Sequence, residues 1–348
     1  ATAMAIVFGV GFLLFAATAR TRKELSTRDG FLVVTLFWAV LGTAGCLPFL
    51  LSADVQLTVT DAVFESLSGL TTTGATVISG LDELPKSILF YRQQLQWLGG
   101  MGIIVLAVAL LPMLGIGGMQ LYRAESPGPV KDNKLVPRLA ETAKALWYIY
   151  LALTVACALA YWVVGMDVFD AISHSFATVA IGGFSTHDAS LGYFNSTAVD
   201  LVAIVFMFVA GINFALHFTA WQARRISPYL YDPEFRFYSF ILLLVTVLTV
   251  SVLHSAEVYS DFFETLIRGL FQVVSIATTT GFTTADFSTW PLFLPFLLLY
   301  AAIIGACAGS TGGGMKVVRI LLIFKQGIRE VQRLIHPRST IPIKLGRE

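Results

Sequence analysis

Long windows without a charged side chain alternate with short charged segments along this chain. Seven windows contain no Asp, Glu, Lys or Arg, and each is at least 19 residues long: 1–19, 30–53, 93–122, 145–166, 201–223, 237–256 and 287–315. A helix needs about 20 predominantly apolar residues to cross the hydrocarbon core of a bilayer. The pattern therefore predicts an all-α polytopic membrane protein.

Three further uncharged stretches are too short and too polar to span a membrane. They cover residues 66–81, 171–187 and 269–285, are rich in Thr, Ser and Gly, and each lies between two long windows. Irregular backbone is tolerated at membrane depth only where it is packed in protein or lines a water-filled cavity. We therefore expect each stretch to form a short helix that ends inside the membrane, followed by an extended Thr/Gly segment facing a cavity.

The three stretches share one register when they are aligned on a glycine. The sequences are TTTGAT at residues 71–76, AIGGFST at 180–186 and TTTGFTT at 278–284, and the aligned glycines are Gly74, Gly183 and Gly281. A single such triplet is an ordinary polar turn, whereas three copies in one register indicate an internal repeat. The unit is span, short helix, extended segment and span, and three units fill residues 30 to about 315.

The composition of these segments favours binding of a bare monovalent cation by backbone carbonyl groups. Thr favours extended backbone and Gly adopts positive φ angles, so that successive carbonyl oxygens turn toward one axis. Rings of carbonyl oxygens replace an ion's hydration shell, whereas divalent-cation sites more often use carboxylates. The nearest carboxylates flank the segments on the outer side, where they either raise the local cation concentration or are plain solvated residues. They are Asp61, Glu65, Asp170, Asp188, Asp261, Glu264 and Asp286.

The distribution of charge predicts the topology. The net charge is only +1, but 20 of the 23 Lys and Arg residues lie in four clusters at residues 20–28, 123–144, 224–236 and 316–347. Basic loops stay in the cytoplasm, so the Thr/Gly segments lie toward the outer side of the membrane.

Each of the three cysteines lies in a long window, and we expect them to be small hydrophobic residues of the core. We expect structural histidines rather than metal ligands at His174, His187, His217 and His254.

A glycine-rich motif interrupts the last long window. Residues 309–316 have the sequence GSTGGGMK, and three consecutive glycines do not sustain a helix. We expect this span to break inside the membrane as a flexible loop that gates the pathway. The predicted gate residues are Gly309, Ser310, Thr311, Gly312, Gly313 and Gly314. One alternative is a glycine seam for close helix packing; another is a phosphate-binding loop, but Lys followed by Ser or Thr is missing after the second glycine.

Seven motifs, spread over nearly the whole chain, carry a family resemblance. They are RDGF at 28–31, TTTGAT at 71–76, LDELPK at 81–86, QWLGGMG at 96–102, IGGFST at 181–186, TGFTT at 280–284 and AGSTGGGMK at 308–316. They resemble the Trk/Ktr/HKT superfamily of potassium transporters, and within it the bacterial TrkH family. The resemblance implies a pseudo-fourfold, potassium-channel-like pore and coordination of K⁺ by filter carbonyls. The coordinating residues so implied are Thr72, Thr73, Ile181, Gly182, Thr279 and Thr280.

The resemblance also divides the chain. Residues 1–29 are the end of an N-terminal helical hairpin with a cytoplasmic loop, and residues 30–122 are pore repeat 1. Residues 123–223 are pore repeat 2 with its preceding cytoplasmic loop, and residues 224–330 are pore repeat 3 with the glycine-rich loop. Residues 331–348 are a cytoplasmic linker. The family has four repeats, so we expect three of four here, with the fourth missing from the sequence.

For function, the resemblance implies gated potassium uptake by a multi-pass protein of the bacterial cytoplasmic (inner) membrane. K⁺ is the transported ion, and neither a covalently bound cofactor nor a catalytic residue is expected. The implied partners are membrane lipid, a second copy in a homodimer and a cytoplasmic nucleotide-binding regulatory ring similar to TrkA, with no nucleic acid. Two alternatives stay open: a carrier that couples potassium to protons or sodium, and a membrane enzyme, although no nucleophile, base and orienting group stand at recognisable spacing.

Overall fold

The computed structural model describes residues 2–18, 27–105, 139–291 and 293–336. Within these ranges the chain consists of helices and irregular segments, without a β-strand, so the predicted all-α fold is confirmed. Four parts of the sequence predictions lie outside the described residues: 20–26 of the first basic segment, 106–122 of the window 93–122, 123–138 of the second basic segment and 337–348 of the C-terminal linker. Residues 331–335 of that linker instead continue the last helix.

The helices follow the predicted repeat. Helix α1 (Thr2–Thr18) precedes a first repeat made of α2 (Thr27–Ala44), α3 (Leu47–Leu50), α4 (Val59–Leu70) and α5 (Lys86–Val105). The second repeat contains α6 (Leu139–Val163), α7 (Val168–Val179), α8 (Thr197–Ala210) and α9 (Phe214–Ala223). The third contains α10 (Ser227–Tyr231), α11 (Pro233–Ser255), α12 (Phe262–Ala277), α13 (Phe293–Ile304) and α14 (Val317–Ile335).

The short helices α4, α7 and α12 are the central elements of the three repeats. Each begins at a residue whose side chain accepts a backbone N–H at the helix start, namely Thr58, Asp167 and Asp261. Each packs between the outer and inner helices of its own repeat, and α7 and α12 also contact the inner helix of the preceding repeat. The repeats are therefore arranged in sequence around a common centre, at which the negative ends of the three helix dipoles favour a cation.

One predicted span is bent. Among the described helices, α6 and α11 are long and apolar enough to cross a membrane, and α8 with α9 makes a third if the pair is one span. Those two helices meet at 92°, so the uncharged window 201–223 is not one straight helix. At the bend, the side chain of Asn213 accepts the N–H of Ala215 and starts a new helix after Gly211.

Hydrophobic side chains form three buried clusters, one centred on each repeat. Phe49, Met207 and Leu298 are central members. The second cluster also includes Phe271 of the third repeat, so it joins two repeats. All three cysteines are buried, which confirms their prediction as core residues.

Candidate ion-binding site

The segments that follow the three short helices adopt the same backbone conformation. In each, the aligned glycine and the residue two positions before it have positive φ angles. The values are 55°, 54° and 70° at Thr72, Ile181 and Thr279, and 77°, 77° and 86° at Gly74, Gly183 and Gly281. A β-branched residue with positive φ is strained, at a cost of about 1–3 kcal/mol. The same strained position in three places indicates a functional geometry; we call residues 71–78, 180–187 and 278–285 the filter segments 1, 2 and 3.

Each filter segment is tied to the end of its helix by an equivalent hydrogen bond. The residue before the aligned glycine donates its N–H to the carbonyl oxygen five residues earlier, at 2.8–2.9 Å. The pairs are Thr73 with Ser68, Gly182 with Ala177, and Thr280 with Ser275. The identical pattern shows that the three segments leave their helices with the same backbone conformation.

The filter segments lie side by side around one axis. A methyl group on Gly74 would lie 2.0 Å from the carbonyl oxygen of Gly182 and 3.7 Å from that of Thr280. A methyl group on Gly183 would lie 1.9 Å from the same Thr280 oxygen. The distances of 2.0 Å and 1.9 Å leave no room for a side chain, so the close approach requires glycine in addition to the positive φ. The first and second segments are thus related as the second and third are.

The six residues predicted to offer carbonyl groups flank these contacts, and one of the carbonyls has a protein partner. Gln96 of α5 donates from Nε2 to Gly182 O at 2.6 Å and accepts the N–H of Phe184 at Oε1 at 3.0 Å. One lone pair of the Gly182 oxygen is therefore directed off the axis. The predicted site residues did not include Gln96. A glutamine inside an apolar window is unusual, and its need for a buried hydrogen-bond partner could have indicated a role at the site.

Behind the filter, a buried polar residue stands nine positions before each aligned glycine. These residues are Glu65, His174 and Gln272, and none has any exposed surface. Each bonds to its own filter segment beyond the glycine: Glu65 to Thr76 Oγ1 and Val77 N, His174 to Ser185 Oγ, and Gln272 to Ala285 O. The assignment of Glu65 to the acidic outer rim is wrong, because its carboxylate is fully enclosed.

Arg92 connects the first two filter segments. Its guanidinium donates to Glu65 Oε1 at 2.8 Å, to Ser185 O at 3.0 Å and to Thr76 Oγ1 at 3.0 Å. It also lies 4.3 Å from the ring centroid of Phe184. Because both members of the Arg92–Glu65 pair are buried, their bonds are hardly screened by water. The pair holds the two segments at a fixed separation.

The outer ends of these segments meet the loop of repeat 1. The ring of His187 hydrogen-bonds to Asp82 through Nδ1, and its Nε2 lies 3.4 Å from Asp170. The bond with His187 lowers the pKa of the Asp82 carboxyl below its ordinary value. Asp188 accepts the N–H of Leu81 at 2.8 Å. Within the described ranges no three His, Cys, Asp or Glu side chains are grouped as metal ligands. Asp82 and Asp188 are hydrogen-bond acceptors that join the two loops.

The predicted break in the last span is present and lies directly against the filter. Between α13 and α14, residues 305–316 form an irregular segment that we call the inner loop. Gly313 donates its N–H to Thr279 Oγ1 at 2.7 Å, and Thr311 Oγ1 donates to Val179 O at 2.9 Å. Val179 is the last residue of α7, directly before filter segment 2, and Thr279 is the second residue of filter segment 3, so the loop stands beneath both segments.

The inner loop also fills the bend between α8 and α9. Cys307 donates its N–H to Gly211 O at 3.0 Å, and Phe214 donates its N–H to Gly309 O at 3.0 Å. These bonds satisfy backbone groups that both broken helices leave unpaired. The two interruptions therefore form one unit, which accounts for the bend that the sequence did not indicate.

Comparison with known proteins gives close relatives. The family model described as "TrkH: Cation transport protein" matches residues 1–347. The Trk system potassium uptake protein TrkH of Vibrio parahaemolyticus is 60% identical over 347 residues, covering 99% of this chain and 72% of that protein. TrkH of Escherichia coli is 59% identical, covering 98% and 71%. The crystal structure of the potassium transporter TrkH from V. parahaemolyticus matches with a TM-score of 0.88 and 56% identity, covering 99% of this chain and 71% of that one.

Proposed function

The chain belongs to the TrkH family of cation transport proteins, and we propose that it takes up potassium ions across the bacterial inner membrane through a pore lined by the filter segments. The observation that carries the proposal is the shared geometry of those segments. The same two positive-φ positions and the same helix-end hydrogen bond occur three times, in segments that touch one another. Backbone fixed in this way presents carbonyl oxygens at set positions around one axis, as coordination of a bare cation requires.

The proposed ligands are backbone carbonyl oxygens from two consecutive residues of each segment. They belong to Thr72, Thr73, Ile181, Gly182, Thr279 and Thr280. Their support is the positive φ at the first residue of each pair, which turns one carbonyl relative to the next, and the position of each pair at the C-terminal, negative end of a short helix. Side-chain charge is kept behind the filter, where Glu65 is neutralised by Arg92.

The inner loop is the proposed gate. Its support is its position, because it contacts the inner ends of two filter segments through Gly313 and Thr311. Residues 312–314 of the loop are three consecutive glycines without side chains, and hinges need residues that absorb large φ/ψ changes. We further propose that the protein acts as a homodimer under a cytoplasmic nucleotide-binding ring, for which the positively charged inner segments provide a docking surface.

A coupled carrier is the second candidate, because two discontinuous helices meet beneath the filter and such helices are typical of carriers. The two mechanisms differ in what sets the equilibrium of transport. In a pore, the reversal potential follows the potassium gradient alone. In a carrier coupled to protons or sodium, a gradient of the coupling ion shifts it.

The test is flux into liposomes that contain the purified protein as its gene encodes it. We expect uptake of radioactive rubidium that excess potassium suppresses and excess sodium does not, with a reversal potential that follows the potassium gradient. Absence of uptake by folded, reconstituted protein would refute the transport proposal. Equal competition by sodium would refute a potassium-selective filter, and a reversal potential that moves with a proton or sodium gradient would favour the carrier.

A further inference from the structure

A single carboxylate joins the two ends of the inner loop. Glu234 Oε1 accepts the N–H of Ala308 at 2.7 Å and the N–H of Val318 at 3.2 Å. Ala308 lies near the start of the loop and Val318 just after its end, ten residues later. Two backbone donors from opposite ends of the loop therefore converge on one oxygen atom of a side chain that belongs to neither end.

The loop itself carries the opposite charge. Lys316, its last residue, has a positive φ of 75° and donates from Nζ to Gly312 O. Glu234 and Lys316 are close enough to attract each other electrostatically. The attraction acts in the same direction as the two hydrogen bonds of Glu234, since all three hold the loop toward the start of α11.

The backbone that carries Glu234 is fixed by the start of a helix. It lies in the first turn of α11, after Pro233 at the helix start, and Asp232 caps this turn by accepting the N–H of Phe235 at 2.7 Å. Only 9% of Glu234 is exposed, although charged residues lie just before it on the inner side. The carboxylate therefore links the inner-facing segment 224–232 to the loop through one rigid helix turn.

We propose that Glu234 is a positioning residue that holds the inner loop beneath the filter, and that movement of segment 224–232 reaches the loop through this carboxylate. The inference rests on the proposed function, in which the loop restricts flow. Its physical basis is the difference between bond types. The bonds from the loop to α8 and α9 are neutral backbone bonds, whereas hydrogen bonds to a carboxylate are about twice as strong.

The test compares Glu234→Ala with Glu234→Gln, and uses Glu330→Ala as a matched control. Glu330 is a carboxylate of α14 whose partners among the described residues are Arg329, Arg333 and Gln326 of the same helix. We expect about tenfold faster rubidium influx with Glu234→Ala, because the loop loses its shared acceptor. Glu234→Gln keeps an oxygen acceptor but loses the charge, so we expect a rise in influx that is smaller than that of Glu234→Ala. The control should stay within about twofold of wild type. The preference for potassium over sodium should be unchanged in all three, since no filter contact is altered.

A second measurement separates a released loop from a misfolded protein. Cys307 lies in the loop and is 1% exposed, while Cys46 and Cys157 are buried in repeats 1 and 2. We expect a thiosulfonate reagent added from the inner side to label Cys307 faster in Glu234→Ala, with Cys46 and Cys157 unchanged. Unchanged labelling of Cys307 in this variant, or faster labelling of all three cysteines, would overturn the proposal, as would wild-type or slower influx. Absence of flux in the wild-type protein would instead refute the proposed function, and the labelling pattern would still test the contact.

Discussion

The filter segments and the inner loop are both irregular backbone at membrane depth, but they are held in different ways. Buried side chains fix the filter from behind: Arg92 and Gln96 bond to filter segment 2, and Gln272 to filter segment 3. The loop is held mainly by backbone bonds to the bend between α8 and α9. In addition, the carboxylate of Glu234 accepts a backbone N–H of the loop. Side-chain bracing preserves a geometry, whereas exchangeable backbone bonds allow it to change.

The energies of the two kinds of contact differ in the same direction. Breaking a buried ion pair such as Arg92–Glu65 by removing one partner costs about 3–5 kcal/mol, whereas one neutral hydrogen bond contributes about 1 kcal/mol. In the proposed pore, the filter oxygens replace the hydration shell of the ion, and a rigid filter binds the ion more tightly because no free energy is lost in rearranging its backbone. The inner loop must move out of the conduction path, and this movement is easier when its bonds are weak. The comparison therefore agrees with the proposed roles, in which the filter selects the ion and the inner loop controls flow.

The largest expected effect is loss of transport when a filter glycine gains a methyl group. In Gly183→Ala, the new Cβ would lie 1.9 Å from Thr280 O, and the backbone would keep its positive φ of 77°. Overlap and strain together cost about 3 kcal/mol or more, and we expect rubidium influx to fall to about 1% of wild type. The matched control is Gly80→Ala, which has a similar φ of 73° but nothing within 4 Å of its Cβ. Equal loss in both variants would mean that φ strain, and not contact between filter segments, sets the requirement.

The next effect tests whether bracing preserves selectivity. Replacing Arg92 with Met leaves Glu65 buried without its partner and frees Ser185 O, so we expect a loss of about 3–5 kcal/mol in unfolding free energy and a lower preference for potassium over sodium. Thermal unfolding in detergent and competition flux measure the two quantities. The control is Lys86→Met, because the Lys86–Asp167 pair is 3.9 Å long and both side chains are mostly exposed, and such pairs contribute about 0–1 kcal/mol. Unchanged selectivity in a destabilised Arg92→Met protein would show that the brace serves folding alone.

The sequence was sufficient to predict what depends on local pattern. Three Thr/Gly triplets in one register predicted the positions of three helix ends, and three consecutive glycines predicted the break between α13 and α14. Both features follow from properties of the residues themselves: β-branching favours extended backbone, and glycine does not sustain a helix. The assignment of carbonyl ligands at Thr72 and its equivalents stays a prediction, although all three residues share a positive φ.

The sequence was insufficient for contacts between distant positions. Glu65 was assigned to the outer rim because it flanks a Thr/Gly stretch, but Arg92, 27 residues later, encloses its charge. Gln96 bonds to residues 86 and 88 positions away. The bend at Asn213 depends on backbone partners near Cys307, and a local hydropathy window contains no information about them. Each miss concerns a polar residue whose contacts lie far away along the chain, within the same repeat for Glu65 and in another repeat for Gln96 and the bend at Asn213.

A smaller effect is expected from shortening the inner loop. Deletion of residues 312–314 removes the contacts of Gly313 with Thr279 and of Lys316 with Gly312. We expect rubidium influx to rise a few-fold while the potassium-to-sodium preference stays unchanged, because the carbonyl groups of the filter keep their braces. Size-exclusion profiles and influx on the same preparations measure folding and flow. If the deletion lowered selectivity in a folded protein, the loop would be part of the filter, and the division of roles would be wrong.

The smallest expected effect concerns the outer end of filter segment 2. There the contact between Asp82 and His187 should make the stability of the protein depend on pH. Because the hydrogen bond with His187 lowers the pKa of Asp82 below its ordinary value of 3.8, the folded state favours the ionised carboxylate. This stabilisation is complete above that ordinary value and is lost as the pH falls through the lower, folded pKa. Asp82 is largely exposed, so the contribution is below about 1 kcal/mol.

Thermal unfolding in detergent between about pH 3 and pH 6 should show a difference in stability between wild type and Asp82→Asn that becomes smaller toward pH 3. Glu83→Gln, next to it in the same exposed turn, should show no such trend; if Asp82→Asn behaved like this control, the contact with His187 would contribute nothing to holding the first loop against the second filter segment.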